Sequence, residues 1–407
     1  MSSQIHLVSK TNNANHTVVT VTPSLDATPL PPSSIRARTA LISLTSNNLS
    51  YARNGTPLHW WSTYPPPASL SPPYDDITEW GIVPAWGYAV VTESTIPVLQ
   101  PGSHLFGLWP TSSHTVTLAL APIEPEGHWI EQSPHRARLL PIYNRYRQVP
   151  TQDKQIMAMK TLFLGTAGFL LNHFVFSTSR PTHPLGLGGR WSREADLSRA
   201  VVASLSASSK TGRFFAWELA RDRDRGEGPL ALLQLTSVPE MVPRHTGGLP
   251  TRAARYDEDV VDWIAGFKSE RVVIVDFGAA EDVTEKLVSD LAGLDVEILI
   301  VVVGAEPKVY TDGELRERMA RNKEMGKAQL NTGALLEQAL TVELPSDFTR
   351  KLDDAWLRCY EEGGFGSVDV KWMSGVQGPD GIEGAWSDLC NRSVGPNMGM
   401  VVQLPGI

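Results

Sequence analysis

The stretch from 197 to 235, LSRAVVASLSASSKTGRFFAWELARDRDRGEGPLALLQL, constrains this chain more than any other. An apolar run at 200–205 ends in a turn of small residues at 206–211. A helical pattern follows, with Phe214, Phe215, Trp217, Leu219 and Ala220. A charged loop at 221–228 then leads into a second apolar run at 230–235. Strand, tight turn, helix and strand open a parallel βαβ unit. Ligands of such units bind where the strand hands over to the helix. The helix N-terminus there carries unpaired N–H groups and a partial positive charge, which suits phosphate.

A dinucleotide turn usually reads G-x-G-x-x-G, because glycines let the backbone approach pyrophosphate. Here the turn reads Ser206-Ala207-Ser208-Ser209-Lys210-Thr211-Gly212, with one glycine at its end. Ser208, Ser209 and Thr211 are able to cap the helix or donate to phosphate oxygens, and Lys210 adds a positive charge. An ordinary hydroxyl-capped helix without a ligand explains the serines equally well. It explains Lys210 poorly, since a lysine gains nothing from the dipole at a helix N-terminus.

The alternation continues. Residues 271–277, RVVIVDF, read as a buried strand, 279–292 as a helix with Val283, Leu287 and Leu291 on one face, and 296–303 as another buried strand. A doubly wound parallel sheet requires this order. The segment 156–176 is strongly apolar but carries Lys160, Asn172 and His173, so it reads as a buried helix beginning near Thr151 rather than a membrane span. Residues 315–328 form a charged, solvated helix; 348–360 and 381–390 are further helices, with strands at 368–373 and 400–404.

Residues 1 to about 150 read as mostly β, with short apolar runs at 17–21, 35–44, 83–91 and 115–120 separated by Pro, Gly and Ser clusters. Trp60, Trp61, Trp80, Trp86 and Trp109 lie in this part and either pack its core or line a pocket. Residues 141–150, PIYNRYRQVP, read as a polar-aromatic connector. A net charge of −8 without any basic run argues against nucleic-acid or anionic-membrane partners. Two cysteines, Cys359 and Cys390, make no disulfide framework and fit a reducing, cytoplasmic setting.

The order of elements resembles the medium-chain dehydrogenase/reductase superfamily. The stretch 33–52, SSIRARTALISLTSNNLSYA, is similar to its strand and loop entering the active site, and 79–107 is similar to its barrel-shaped substrate domain. More closely, WG-x-VP-x-WG at 80–87, FG-x-WPTSSH at 106–114 and SASSKT at 206–211 resemble a branch catalogued as a domain of unknown function. The resemblance implies an α/β chain with a GroES-like β-rich domain at 1–150, completed by about 345–407. A Rossmann-like doubly wound domain would occupy 151–344.

The resemblance also implies a site. Pyrophosphate would lie on Ser206, Ser208, Ser209, Lys210, Thr211 and Gly212, and the adenosine ribose would be read at Thr236 and Ser237. Hydroxyls rather than an acid there resemble the NADP-preferring form, with Glu240 nearby as a contrary sign. Asp276, Gly278 and Gly304 would flank the nicotinamide. Asn47, Asn48 and Tyr51 would face the substrate, and a dimer is expected by analogy. No cysteine precedes Cys359, so the catalytic zinc site of the superfamily's alcohol dehydrogenases is not expected and no metal is assigned.

A zinc-free reductase needs its protein to orient the substrate and offer a proton. Tyr51 is the first choice of donor, Asn47 or Asn48 the group polarising a carbonyl, and His114 a further acid or base. Each also has a bland reading: a turn cap for Asn47 and Asn48, core packing for Tyr51, a satisfied structural histidine for His114. The resulting expectation is a zinc-independent, NADP-dependent reductase of enoyl or carbonyl groups in an apolar, polyketide-like small molecule. A cofactor-free enzyme of the same fold, catalysing cyclisation, dehydration or isomerisation, is the alternative, and a non-catalytic binding protein is the third.

Overall fold

Continuous β-branched runs make buried parallel strands, and period-two runs make strands with one solvated face; the chain uses both in different parts. In the computed structural model, which describes residues 3–21, 29–150, 153–188, 190–221, 228–243 and 248–404, these parts are two units. One comprises 1–162, 307–310 and 369–407; the other comprises 163–306 and 311–368. Thr151, the expected helix start, and most of the charged loop at 221–228 lie outside the described residues.

The first unit is built on a closed barrel. Strand Ser34–Leu44 pairs antiparallel with Pro84–Ser94, which pairs with His104–Pro110. His104–Pro110 pairs with Arg145–Val149, that strand with His128–Glu131, and that with Thr115–Ile123. Thr115–Ile123 returns to Ser34–Leu44, so six strands close on themselves and leave no free edge in the ring. Ser34–Leu44 is 11 residues long, enough to hold two partners on one side. Its first half takes Thr115–Ile123 and its second half takes Met398–Gln403, which carries the parallel strand Asp369–Ser374 outward.

The barrel core follows the alternation. Val116, Leu118 and Leu120 point inward while Thr115 and Thr117 are exposed. Arg145–Val149 is a barrel strand rather than a connector, and it lays Tyr146 on Gly107 of the neighbouring strand. A Cβ on Gly107 would lie 2.4 Å from the Tyr146 ring, so only glycine admits that ring. An N-terminal hairpin, Ser3–Ser9 with His16–Val21, also belongs to this unit.

The second unit is a six-stranded parallel sheet flanked by helices. Taken in chain order, strands Ala200–Leu205, Ala231–Leu235, Thr251–Ala254, Arg271–Asp276, Glu297–Val302 and Ala328–Gln329 stand in space as 3-2-1-4-5-6. That is the doubly wound dinucleotide-binding order. The four central strands are those legible in the sequence. The two outer strands, Thr251–Ala254 and Ala328–Gln329, lack an apolar run because each is paired on one side only.

The apolar segment at 156–176 is not one helix. Lys154–Leu162 belongs to the first unit; Thr166–Leu170 and the wider turn Leu171–Val175 belong to the second. Gly165 breaks the run at φ +75°, and Trp356 Nε1 donates to the freed Phe163 carbonyl at 2.7 Å. The charged helix begins earlier than its composition suggests, at Asp312–Glu324. A capping box starts it: Thr311 Oγ1 accepts from Glu314 N, and Thr311 N donates to Glu314 Oε2.

The hairpin sets a pH dependence. His6 is fully buried, and its Nε2 lies 3.0 Å from His16 Nδ1. His16 Nε2 in turn lies 3.0 Å from Ser387 Oγ. Burial, and secondarily His16, pushes the His6 pKa down to about 3; burial also lowers His16, against the raising influence of Glu383. Below pH 6.5 the unfolded chain therefore binds more protons than the folded one. Folding stability should fall as pH drops from 6.5 towards 3, by up to about 1.4 kcal/mol per pH unit from His6 alone. Denaturant midpoints across that range check this, and His6→Gln should flatten the profile.

Candidate functional site

In a doubly wound sheet the crevice opens where neighbouring connections leave to opposite faces, here between Ala200–Leu205 and Arg271–Asp276. Phe277 N donates to Leu205 O at 3.1 Å, so the turn after the first strand and the loop after the fourth start side by side. Ser206 takes φ +51°, a left-handed conformation that favours glycine. The turn thus keeps a glycine-type path although serine occupies it. Ala207 N donates to Leu235 O, and Ser209 N to Ser206 O. Helix Lys210–Arg221 begins directly after.

The serines mostly build the turn. Ser208 Oγ and Thr236 Oγ1 share a buried hydrogen bond of 2.6 Å. Ser209 Oγ accepts from Gly212 N at 3.1 Å and caps the helix. Ser206 Oγ lies 3.3 Å from the Tyr256 hydroxyl beyond the third strand. A Cβ on Gly212 would meet Ser209 Oγ at 2.9 Å, so this one remaining glycine keeps the first helical turn tight. Arg213, overlooked in the sequence, is fully buried and donates to the carbonyls of Ser208, Phe365 and Ser367. It ties the turn to the loop following helix Pro345–Glu361.

Lys210 and Thr211 are half-buried at the start of the helix. Burial, and then the neighbouring Arg213 charge, pushes the Lys210 pKa down to about 8. Such a cation gains from an anion placed against it. Ser237 is exposed, and so is Glu240 on the turn Pro239–Met241.

Across the crevice, Asp276 is buried and its Oδ1 accepts from Gly278 N at 2.9 Å and Ala279 N at 2.8 Å. Burial raises its pKa, and those two N–H groups oppose the rise. Asp276 therefore shapes the loop. Gly278 takes φ +115°, and a Cβ there would lie 2.6 Å from Ala305 O. A Cβ on Gly304 would lie 2.5 Å from Phe277 O. The two loops pass at a distance that only glycines allow, as close backbone approach at a ligand crevice demands.

The first-unit candidates separate into two kinds. Asn48 is 2% exposed, accepts from Thr45 N at 2.7 Å as part of a capping box, and donates to Pro84 O at 2.9 Å. Its amide is committed to starting helix Ser46–Arg53 and anchoring it to the barrel. Asn47 is exposed on the same turn. His114 Nδ1 lies 2.6 Å from Ser112 Oγ, and burial pushes its pKa down to about 4. It is neutral at pH 7 and bonded within its own turn.

Tyr51 differs from these. It is 6% exposed, its hydroxyl accepts from Trp86 Nε1 at 2.8 Å, and its ring meets Trp60 edge-on at 4.7 Å and Tyr143 at 5.9 Å. Burial raises its pKa well above the ordinary value, so it stays protonated. Of the five tryptophans noted in the sequence, Trp109 is core, while Trp60 and Trp86 belong to this cluster.

The family model described as "Protein of unknown function (DUF2855)" matches residues 42–395. The chain belongs to the DUF2855 family. None of the curated proteins compared matches it. Among solved structures it is similar to CurA from Vibrio vulnificus in complex with NADPH, with TM-score 0.53 and 9% identity over 99% of this chain and 100% of that one. It is also similar to a mutant form of enoyl thioester reductase from Candida tropicalis, with TM-score 0.54 and 10% identity over 99% and 100%. A complex of Etr1p with NADP and crotonyl-CoA gives TM-score 0.54 and 9% identity over the same shares. At such identities the likeness is one of fold: a GroES-like barrel unit and a Rossmann-like unit. Among the described residues no helix is long and apolar enough to cross a membrane, and no group of three or more His, Cys, Asp or Glu is arranged to hold a metal ion.

The left-handed turn gives a direct check. Ser206→Val should cost about 1–2 kcal/mol of stability, because a β-branched side chain fits φ near +50° badly, whereas Ser206→Gly should be neutral or stabilising. Thermal melts of the two variants compare them; equal melting would contradict the assigned turn geometry.

Proposed function

We propose that this DUF2855 protein is an NADP-dependent reductase of conjugated or simple carbonyl compounds, acting without zinc. One observation carries the reading. The strand order 3-2-1-4-5-6 sets the 206–212 turn, with a helix N-terminus and Lys210, beside the glycine-tightened 276–278 loop. The residues present fit a dinucleotide: Ser206 holds the path a glycine would, Gly212 lets the first helical turn close tightly, Gly278 lets the facing loops pass closely, and Lys210 supplies charge. The solved structures of like fold include one with NADPH and one with NADP and crotonyl-CoA, which supports the choice of cofactor.

NADPH, when bound, supplies a hydride. Lys210 and Thr211 would hold its diphosphate, Ser237 would meet the adenosine ribose, and the closely passing loops at Gly278 and Gly304 would flank the nicotinamide. In the barrel unit Tyr51 keeps its proton and would offer it to a substrate oxygen on which negative charge develops. Asn47 is exposed and able to assist at the substrate, whereas Asn48 is spent on the backbone at Thr45 and Pro84 and His114 on the Ser112 hydroxyl. In this reading Tyr51, rather than a metal, would stabilise the charge that develops on the oxygen.

The cofactor-free reading rests on the Ser208–Thr236 bond, which fills with side chains part of the space that glycines leave open elsewhere. A titration separates the two. NADPH at millimolar concentration should raise the melting temperature, and Lys210→Ala should weaken NADPH binding by roughly tenfold, the size of one charge-assisted contact. No shift with NADPH or NADH would overturn the reductase reading. Lys210 is charged below its pKa of about 8 and neutral above it. Bound phosphates favour the charged lysine and so raise its pKa above the free value; affinity for NADPH should therefore fall as pH rises through 8–9, and Lys210→Ala should remove the dependence.

A further inference from the structure

Trp60, on the short turn Trp60–Ser62, is 6% exposed, and among the described residues its indole Nε1 has no hydrogen-bond partner. A buried donor left unmade costs about 1–3 kcal/mol, so native chains seldom keep one without a use. Its neighbours sharpen the point. Tyr51 lies edge-on at 4.7 Å and Tyr143 at 5.3 Å with the rings perpendicular. Trp86 donates to the Tyr51 hydroxyl, which leaves the Tyr51 proton for another acceptor; none is found for it among the described residues. Among the described residues, this aromatic cluster thus holds two buried donors without an acceptor, the Trp60 N–H and the Tyr51 O–H. Trp86, Phe106 and Tyr143 are half-buried, and Trp86 stacks on Phe106 at 5.9 Å and 23°.

Donors without acceptors, set among flat rings, suit one kind of guest: a planar molecule carrying an oxygen acceptor. We propose that Trp60 is a specificity-determining residue, its indole N–H joining the Tyr51 hydroxyl to hold the carbonyl oxygen of a planar conjugated ketone or ester. Reduction of that guest rests on the reductase reading, but its binding needs no dinucleotide. Four other buried indoles are satisfied. Trp109, Trp191, Trp356 and Trp386 all donate to backbone carbonyls. Trp129 also lacks a partner, but none of the ring contacts of this cluster involves it.

The test is a ligand-observed NMR titration of the whole chain, without NADPH, using trans-4-phenyl-3-buten-2-one and its hydrocarbon counterpart trans-β-methylstyrene. The ketone should bind the more tightly. Trp60→Phe keeps a ring and removes the N–H. It should weaken the ketone roughly three- to tenfold and leave the hydrocarbon unchanged, the range expected for one neutral hydrogen bond. It should also leave the ligand-free melting temperature unchanged or higher, since an unmet donor has been removed. Equal binding of ketone and hydrocarbon by the parent chain, or unchanged ketone binding by Trp60→Phe, would overturn the proposal. A lowered melting temperature with ketone binding intact would do the same, by showing that the N–H serves the fold. Should Trp60→Phe fail to fold, Tyr51→Phe must show the same selective loss of ketone over hydrocarbon. Because the titration omits NADPH, a failure of dinucleotide binding would be read separately.

Discussion

The hydrogen bond from Phe277 N to Leu205 O holds together the two loops on which the functional account depends. It exists because strands one and four are neighbours in the parallel sheet, and they are neighbours because the chain crosses to the other face after its third strand. Everything chemical in the second unit depends on that crossing. It sets the turn that starts helix Lys210–Arg221 beside the glycine-tightened 276–278 loop. The buried Arg213 then fixes the turn from behind through three carbonyls.

Much of this was legible in the sequence, and the part that was not has physical causes. The central strands announced themselves as continuous apolar runs because both of their faces and both of their edges are covered. Thr251–Ala254 and Ala328–Gln329 did not, being short and paired on one edge. The break at Gly165 was hidden inside an apolar run, since hydrophobicity reports burial and not backbone direction. Thr311 and Glu314 did spell a capping box, so that helix start could have been found.

The candidate site divides along the same line. Residue type at 206–212 pointed to a turn that meets an anion, but type alone could not say that Ser208 and Ser209 spend their hydroxyls inside the protein. Asn48 looked like a carbonyl-polarising group because asparagine offers both donor and acceptor; the fold uses both in a cap. A capping box with asparagine at its third position lacks the usual Glu or Gln, which is why the pattern Thr45 to Asn48 gave no signal. Trp60 could not be singled out at all, because an unmet N–H is a property of surroundings.

The central claim is that the 206–212 turn cradles a dinucleotide with hydroxyls and a lysine in place of glycines. A crystal structure of the protein grown with NADPH tests it most directly. The account predicts diphosphate density against the start of helix Lys210–Arg221, within hydrogen-bond distance of Lys210 or Thr211, and nicotinamide density beside Gly278. A crevice between Ser206 and Gly278 that stays empty at saturating NADPH, or dinucleotide bound elsewhere on the chain, would contradict it.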